Sequence, residues 1–398
     1  MLGAIYVGMS GLAAYSSGLR AISNNVGNLN SSGFKAETVN FTDLFAQDRG
    51  NLTSSDENNA RGLGYGVRMT EPRTDFSQGD LRASTGDLDL AISGTGFFVL
   101  LGADKTFYTR TGLFEVDKDG FIAQQNTQNR LGVLDDAGRI TTLNINSDRT
   151  SPAVATSKII FADNLSSGGT DHSISDLAVY DSVGSKHIWA VKFTKGATQG
   201  LSTDWAVTVT DETQRTVGTG TLKFIGSTVD PSTATLVIAD APAGADPLSV
   251  TLDFSANVTS FSGSTTSTLR AAKVDGHALG QLTTVTVDED GKVKLTYSNG
   301  ESKTPNAVAL ADFRDPQALE KSGNGLYELR GDSEHRFLAS GKEGVGKIVS
   351  KQIEASNVDL SAAFGDLILI QRGFQASSQV ISVANDMIQQ LFGIRGQG

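Results

Sequence analysis

Residues 356–392 read SNVDLSAAFGDLILIQRGFQASSQVISVANDMIQQLF, and they decide how this chain is built. Apolar residues return every seventh place here and just before: Ile353, Leu360, Leu367, Phe374, Ile381 and Ile388. Three places after each stand Ser356, Ala363, Ile370, Ser377, Ala384 and Leu391. The two rows are the a and d positions of a heptad helix. Large and small side chains alternate along the seam, which lets a partner helix come close. Asp359 or Ser361 is placed to cap the helix start. The spacing predicts a terminal helical segment over 353–398.

The front of the chain carries the same pattern. Ile5, Leu12, Leu19 and Val26 recur every seven residues, followed at three places by Gly8, Tyr15, Ile22 and Leu29. Asn24, Asn25, Asn28, Asn30 and then Gly33 mark the exit of a helix over 1–33. Its polar face is unusual. Arg20 is its one charged side chain, and the rest is Gly, Ser, Ala and Asn. Exposed helices are normally laced with pairs of opposite charge. Each interior Gly also costs about 0.8–1 kcal/mol relative to Ala. Such a helix is marginal alone and needs neighbours. Two arrangements supply them: packing on sister copies, with ends weakly ordered in a monomer, or an intramolecular helix pair. The candidate assembly interface is Ile5, Leu12, Leu19, Ile22, Val26, Ile353, Leu360, Leu367, Ile370, Phe374, Ile381, Ile388 and Leu391.

Between the ends, period two replaces period seven. Residues 34–70 are polar and Gly-rich, loosest at LTSSDENNARGLGYG (52–66), and are expected to form an extended connector. Strand patterns fill 71–145 and 284–352, as in LDLAISGTGFFVLLG and TVTVDEDGKVKLTYSNG. Asp119-Gly120 and Asp290-Gly291 predict tight hairpin turns. Residues 146–283 carry further strands, WAVTVTD, TATLVIAD and PLSVTLDF, with Pro231, Pro242 and Pro247 between runs. The expected architecture is multidomain: terminal helices paired as in a coiled coil, a mainly-β discontinuous domain over 71–145 and 284–352, and an all-β insert over 146–283.

Composition removes several classes of function. A formal charge of −11 gives no electrostatic footprint for nucleic acid or anionic lipid. The absence of cysteine excludes disulfides and thiolate chemistry. No apolar run is long enough to span a bilayer. The N-terminal stretch has no basic leader, is interrupted by Gly3, Gly8 and Gly11, and is expected to be part of the mature structure. His172, His187, His277 and His335 lack ligand spacing. Asp117–Gly120 and Asp288–Gly291 start like calcium loops but lack the closing Glu and the flanking helices. Gly62–Gly66 and Gly94–Gly96 lack the strand-to-helix context of a dinucleotide site. Ser32-x-x-Lys35 stands without the companion motifs of a serine nucleophile. No catalytic residue, cofactor or metal is expected.

The end segments resemble the flagellar axial family of rod, hook and hook-associated subunits. The N-terminal positions are Ser10, Gly11, Leu12, Leu19, Ile22, Ser23, Asn24, Asn25, Asn28, Asn30, Gly33, Phe34 and Lys35. A second block is Asp89, Ile92, Gly94, Gly96, Phe97 and Phe98. The third is Ser356, Asn357, Val358, Asp359, Leu360, Gln371, Arg372, Gln375 and Ala376. The length of the insert resembles the hook members more than the rod members. The resemblance implies an inner tube of packed terminal helices, a middle layer made by the discontinuous domain, and an outermost insert. It further implies self-assembly into a curved tubular joint that transmits torque. The implied partners are sister copies, rod, hook-cap and hook–filament junction proteins, with unfolded export by the flagellar type III apparatus and no cleaved signal. Two alternatives stay open: a distal rod protein, which would assemble straight, and a secreted β-rich carbohydrate-binding or carbohydrate-degrading protein, which would show an acidic, aromatic cleft.

Overall fold

Two long helices bracket the chain: α1 (Leu2–Gly27) and α2 (Leu360–Arg395). The computed structural model describes residues 2–44, 66–263, 265–331 and 333–395. Most of the stretch expected to be loosest in the connector, 52–65, and the tail 396–398 lie outside the described residues. Between the helices, the described chain is strand and turn with short 3-10 segments.

α2 starts later than its heptad predicts. Asp359 is the cap, its Oδ1 accepting from the backbone N–H of Ser361 (2.8 Å) and Ala362 (3.1 Å). Ile353 therefore lies outside the helix. It sits in strand Gln352–Glu354, opposite Arg82 of strand Leu81–Ala83. Its β-branched side chain between Gln352 and Glu354 suits the alternating faces of a strand. The connector differs too. Glu37–Thr38 pairs with Arg73–Thr74, and Phe41–Asp43 pairs with Val67–Met69, both antiparallel. These described parts form a β-ribbon rather than an extended link. Val39 and Phe41 carry its apolar contact with α1, the Phe41 ring lying 5.3 Å from that of Tyr15.

The chain divides into two units. The first holds 1–146, 285–294 and 304–398. Its sheet is centred on Phe97–Leu101, flanked by Thr106–Thr109, Arg130–Leu134 and Leu310–Phe313. Hairpin Leu319–Gly323/Leu326–Leu329 extends it from Thr106–Thr109. Phe97, Val99, Tyr108, Ala311, Phe313 and Tyr327 fill one core, with edge-on ring contacts such as Tyr108–Phe313 at 4.8 Å.

The second unit holds 147–284 and 295–303, so residues 295–303 cluster with the insert and not with the interrupted domain. A meander of Asp171–Tyr180, Lys186–Gln199, Ser202–Thr210 and Thr216–Ile225 supplies half its core. Lys158–Asn164, Thr235–Asp240 and Leu248–Asp253 supply most of the rest, with Leu165, Phe254, Val258 and Leu269 beyond them. WAVTVT alternates as expected: Trp205, Val207 and Val209 point inward. Both tryptophans of the chain, Trp189 and Trp205, lie here fully buried. Tryptophan fluorescence therefore reports this unit alone. Trp205→Ala is expected to remove about 3–5 kcal/mol from it. Denaturant unfolding followed by the remaining Trp189 checks this.

The Asp-Gly turns are longer than tight two-residue turns and recur. Asp117, Asp135, Asp181, Asp211 and Asp288 each accept from the N–H three residues on, and each donates its own N–H to the carbonyl four residues on. The third residue after the Asp adopts positive φ: Gly120, Gly138, Gly184, Gln214 and Gly291. In each loop the Asp Oδ1 accepts the N–H four residues on as well. This is a type I turn with a left-handed closing residue. It explains the calcium-like spelling, because the carboxylates are committed to backbone N–H groups.

Asp253 links this unit to pH. Burial pushes its carboxyl up, but the bonds from Lys158 Nζ (2.7 Å) and Ser255 outweigh this and hold it at about 2. A carboxyl depressed on folding contributes stability above its unfolded value of about 3.9, and that contribution is lost as pH falls through the folded value. Asp211 is likewise held at about 2, by Thr213 first and then Arg215. The unit is expected to lose stability between about pH 4 and pH 2. Asp253→Asn should flatten part of that limb of the Tm-against-pH curve.

Candidate assembly surface and its terminal junction

α1 and α2 run antiparallel and meet at very short range. A Cβ placed on Gly8 would lie 2.6 Å from Ile381 Cγ1, and one on Gly11 would lie 2.5 Å from Ser377 Oγ. On Gly373 it would fall 2.5 Å from the Tyr15 ring, and on Gly18 2.9 Å from Ile370 Cδ1. As the α1 number rises the α2 number falls, and at each crossing one partner has no side chain. Glycines that weaken an isolated helix are here what lets the second helix approach.

The predicted seam residues divide into three groups. Leu19, Ile22, Val26, Leu367 and Ile370 come together in one cluster with Ala363, Tyr15, Val39 and Val358. Ile381 seats against Gly8, while Ile5, Leu12 and Ile388 are half-buried. Leu360, Phe374 and Leu391 are instead exposed, and Ile353 belongs to the strand described above. In α2 the buried line keeps the predicted frame, through Ala363, Ile370 and Ala384. In α1 it runs through Gly8, Gly11, Ala14, Gly18, Ala21, Ile22 and Asn25, so it is turned toward small residues. In the sequence, Gly8 falls in the seam and the interior glycines of the front helix count as a cost, with none of Gly11, Gly18 or Gly373 assigned to a helix contact. The seven-residue spacing of Gly11 and Gly18 was the signal that they line a contact.

Elsewhere on α2 many apolar side chains are left uncovered among the described residues, interspersed with polar ones such as Gln371, Gln375, Gln379 and Asn385. Phe364, Ile368, Leu369, Val380, Val383, Met387 and Phe392 are exposed, Leu369 and Phe392 by more than two thirds (68% and 69%). Asp366, Arg372 and Asp386 are the charged side chains among them. Tyr6 and Met9 of α1 are also exposed. So many exposed apolar side chains on one helix mark an interaction surface.

Where the helices leave the β body, three charges are buried together. Lys35 Nζ donates to Glu354 Oε1 at 2.6 Å and to the Ser77 carbonyl at 2.5 Å. Arg110 Nη1 reaches Glu354 Oε2 at 3.3 Å, and its guanidinium lies 5.2 Å from the Phe97 ring centre. Lys35 and Glu354 have no solvent-exposed side-chain surface. Burial pulls the Lys35 pKa down, against the pull of Glu354, and burial lowers Arg110 as well. Neighbouring Tyr327 is pushed up by burial. In the sequence Lys35 stands in Ser32-x-x-Lys35 and closes the N-terminal block of the family resemblance, but its buried counter-ion lies far along the chain, and no local pattern announces it.

Four family models match in chain order. They are the flagella basal body rod protein (5–35), the flagellar hook protein FlgE/F/G D1 domain (91–157), the flagellar basal body protein FlaE D2 domain (144–277) and the flagellar basal body rod FlgEFG protein C-terminal (349–394). A crystal structure of the Helicobacter pylori flagellar hook protein FlgE2 shares the fold at 14% identity and a TM-score of 0.53, covering 69% of this chain and 100% of that one. Terminal helices around a mostly-β middle, with these matches at both ends, define a flagellar axial protein. The flagellar hook protein FlgE of Treponema pallidum is 29% identical over 99% of this chain and 100% of its own length. That of Escherichia coli K12 is 26% identical over 97% and 98%. The chain belongs to the flagellar hook protein family.

Proposed function

We propose that this chain is a structural subunit of the flagellar hook and that it assembles with its own copies through its terminal helices. The observation that carries this is the uncovered apolar face of α2: one face is spent on α1 within the molecule, and the other has no intramolecular partner among the described residues. Burying it at about 25 cal/mol per Å² gives a driving force that ordering of the helix ends reduces without abolishing. The terminal helices pack as a coiled-coil-like inner tube. The tube resists twist, while polar contacts between β units of neighbouring copies slide as it bends. The subunit carries out no reaction. It is exported through the flagellar type III apparatus without a cleaved signal, and it meets rod, hook-cap and junction proteins at the ends of the tube.

Electron microscopy of the concentrated purified protein tests this. Curved tubes are expected. Straight tubes would point to a rod subunit, and a monodisperse monomer at high concentration would overturn the self-assembly reading.

A further inference from the structure

The segment leaving α1 finds its backbone partners at the far end of the sequence. Gly33 N–H donates to the Glu354 carbonyl (2.8 Å), and Ala36 N–H donates to Asn357 Oδ1 (2.8 Å). In return Asn357 N–H donates to the Phe34 carbonyl (3.3 Å). Lys35 adds its ion pair with Glu354, a contact across 319 positions of chain. The β body holds Glu354, Ala355 and Asn357 from its own side. Gly79 N–H donates to Glu354 Oε1 (2.8 Å), Ala355 N–H to the Asp80 carbonyl (2.8 Å), and Asn357 Nδ2 to the Asp75 carbonyl (2.8 Å).

From this geometry we infer that Glu354 and Asn357 form a latch through which both terminal helices dock on the β body as one cooperative event. Among the described residues Glu354 is the carboxylate bonded to both buried cations. Without it, Lys35 keeps the Ser77 carbonyl and the longer-range attraction of exposed Asp75, and Arg110, whose Nε is already unpaired, keeps the Phe97 ring. A lysine that burial disfavours enters this site only when the carboxylate is already there. The order follows: strand Gln352–Glu354 pairs with Leu81–Ala83, and then the 33–36 segment closes over it. The N-terminal helix is thus secured only in a chain complete through residue 357. Lifting the C-terminal strand releases both ends together. The latch stands whether or not copies assemble, because all its contacts are within one molecule.

Hydrogen exchange on the full-length protein tests it, with Glu354→Gln and Asn357→Ala compared with wild type. In Glu354→Gln, amides of 33–39 and 352–358 are expected to exchange at least about tenfold faster and at matched rates, because one opening exposes both. Phe97–Leu101 and the tryptophan-bearing unit should stay as protected as in wild type. Asn357→Ala should give a smaller rise at the same two segments. Faster exchange at one segment alone would overturn the coupling, as would unchanged exchange in Glu354→Gln. Loss of protection in Phe97–Leu101 in both variants would mean that the charges support the body and are no latch.

Discussion

Gly11→Leu is expected to abolish tube formation while leaving the melting of both β units at its wild-type temperature. The reason is steric. Even the first side-chain atom at this position falls 2.5 Å from Ser377 Oγ, and the next contact is the Ser377 Cβ, so a leucine cannot enter without moving α2. Overpacking a closed contact costs about 1–3 kcal/mol. That is comparable to the stability of a Gly-rich helix pair, because such helices are marginal in isolation. Pushing α2 aside also displaces the apolar face formed by Phe364, Ile368 and Leu369. Gly3→Ala is the control. Nothing lies within 4 Å of that site, so alanine should keep assembly and favour the helix by up to about 0.8–1 kcal/mol. Leu367→Asp should reproduce the loss by another route, placing a charge in the Ile22–Ala363–Ile370 cluster. Sedimentation and electron microscopy read assembly, and calorimetry reads the β units. Tubes from Gly11→Leu indistinguishable from wild type would remove the close helix contact from the assembly argument.

The buried charges predict an asymmetry of similar size. Glu354→Gln leaves two buried cations without an anion and is expected to weaken docking of the terminal segments by about 3–5 kcal/mol. Lys35→Met leaves Arg110 and Glu354 as a one-to-one pair, still supported by Gly79 N–H. Its loss is that of the Lys35 bonds to Ser77 and Glu354, offset in part because an ammonium no longer has to be desolvated, and should stay at about 1–3 kcal/mol, below that of Glu354→Gln. Chemical denaturation monitored at the terminal segments would measure both. Equal losses in the two variants would mean that the pair, and not the shared carboxylate, sets the energy.

What was legible in the sequence was what depends on period and punctuation. The heptads of α1 and α2 placed both helices, because a helix that buries one stripe must repeat its apolar residues near every seventh place. Alternation in WAVTVTD and PLSVTLDF placed strands that now have Trp205, Val207, Val250 and Leu252 in one core. Asp119-Gly120 and Asp290-Gly291 announced turns, though their length came from hydrogen bonds that the spelling alone does not specify. Ile353 was misplaced because a seven-residue count continues past a cap, whereas the Asp359 side chain, bonded to Ser361 and Ala362, ends the helix.

The sequence by itself determined that the ends are helical, poor in charge and in need of cover, and that the middle is β. Those are local properties, written in residues a few places apart. Only the tertiary structure decided that α1 covers one face of α2, that glycines form that contact, and that Lys35 shares Glu354 with Arg110. Each of those depends on residues hundreds of positions apart reaching one place, where short-range sterics and the low dielectric of a buried site set the energy.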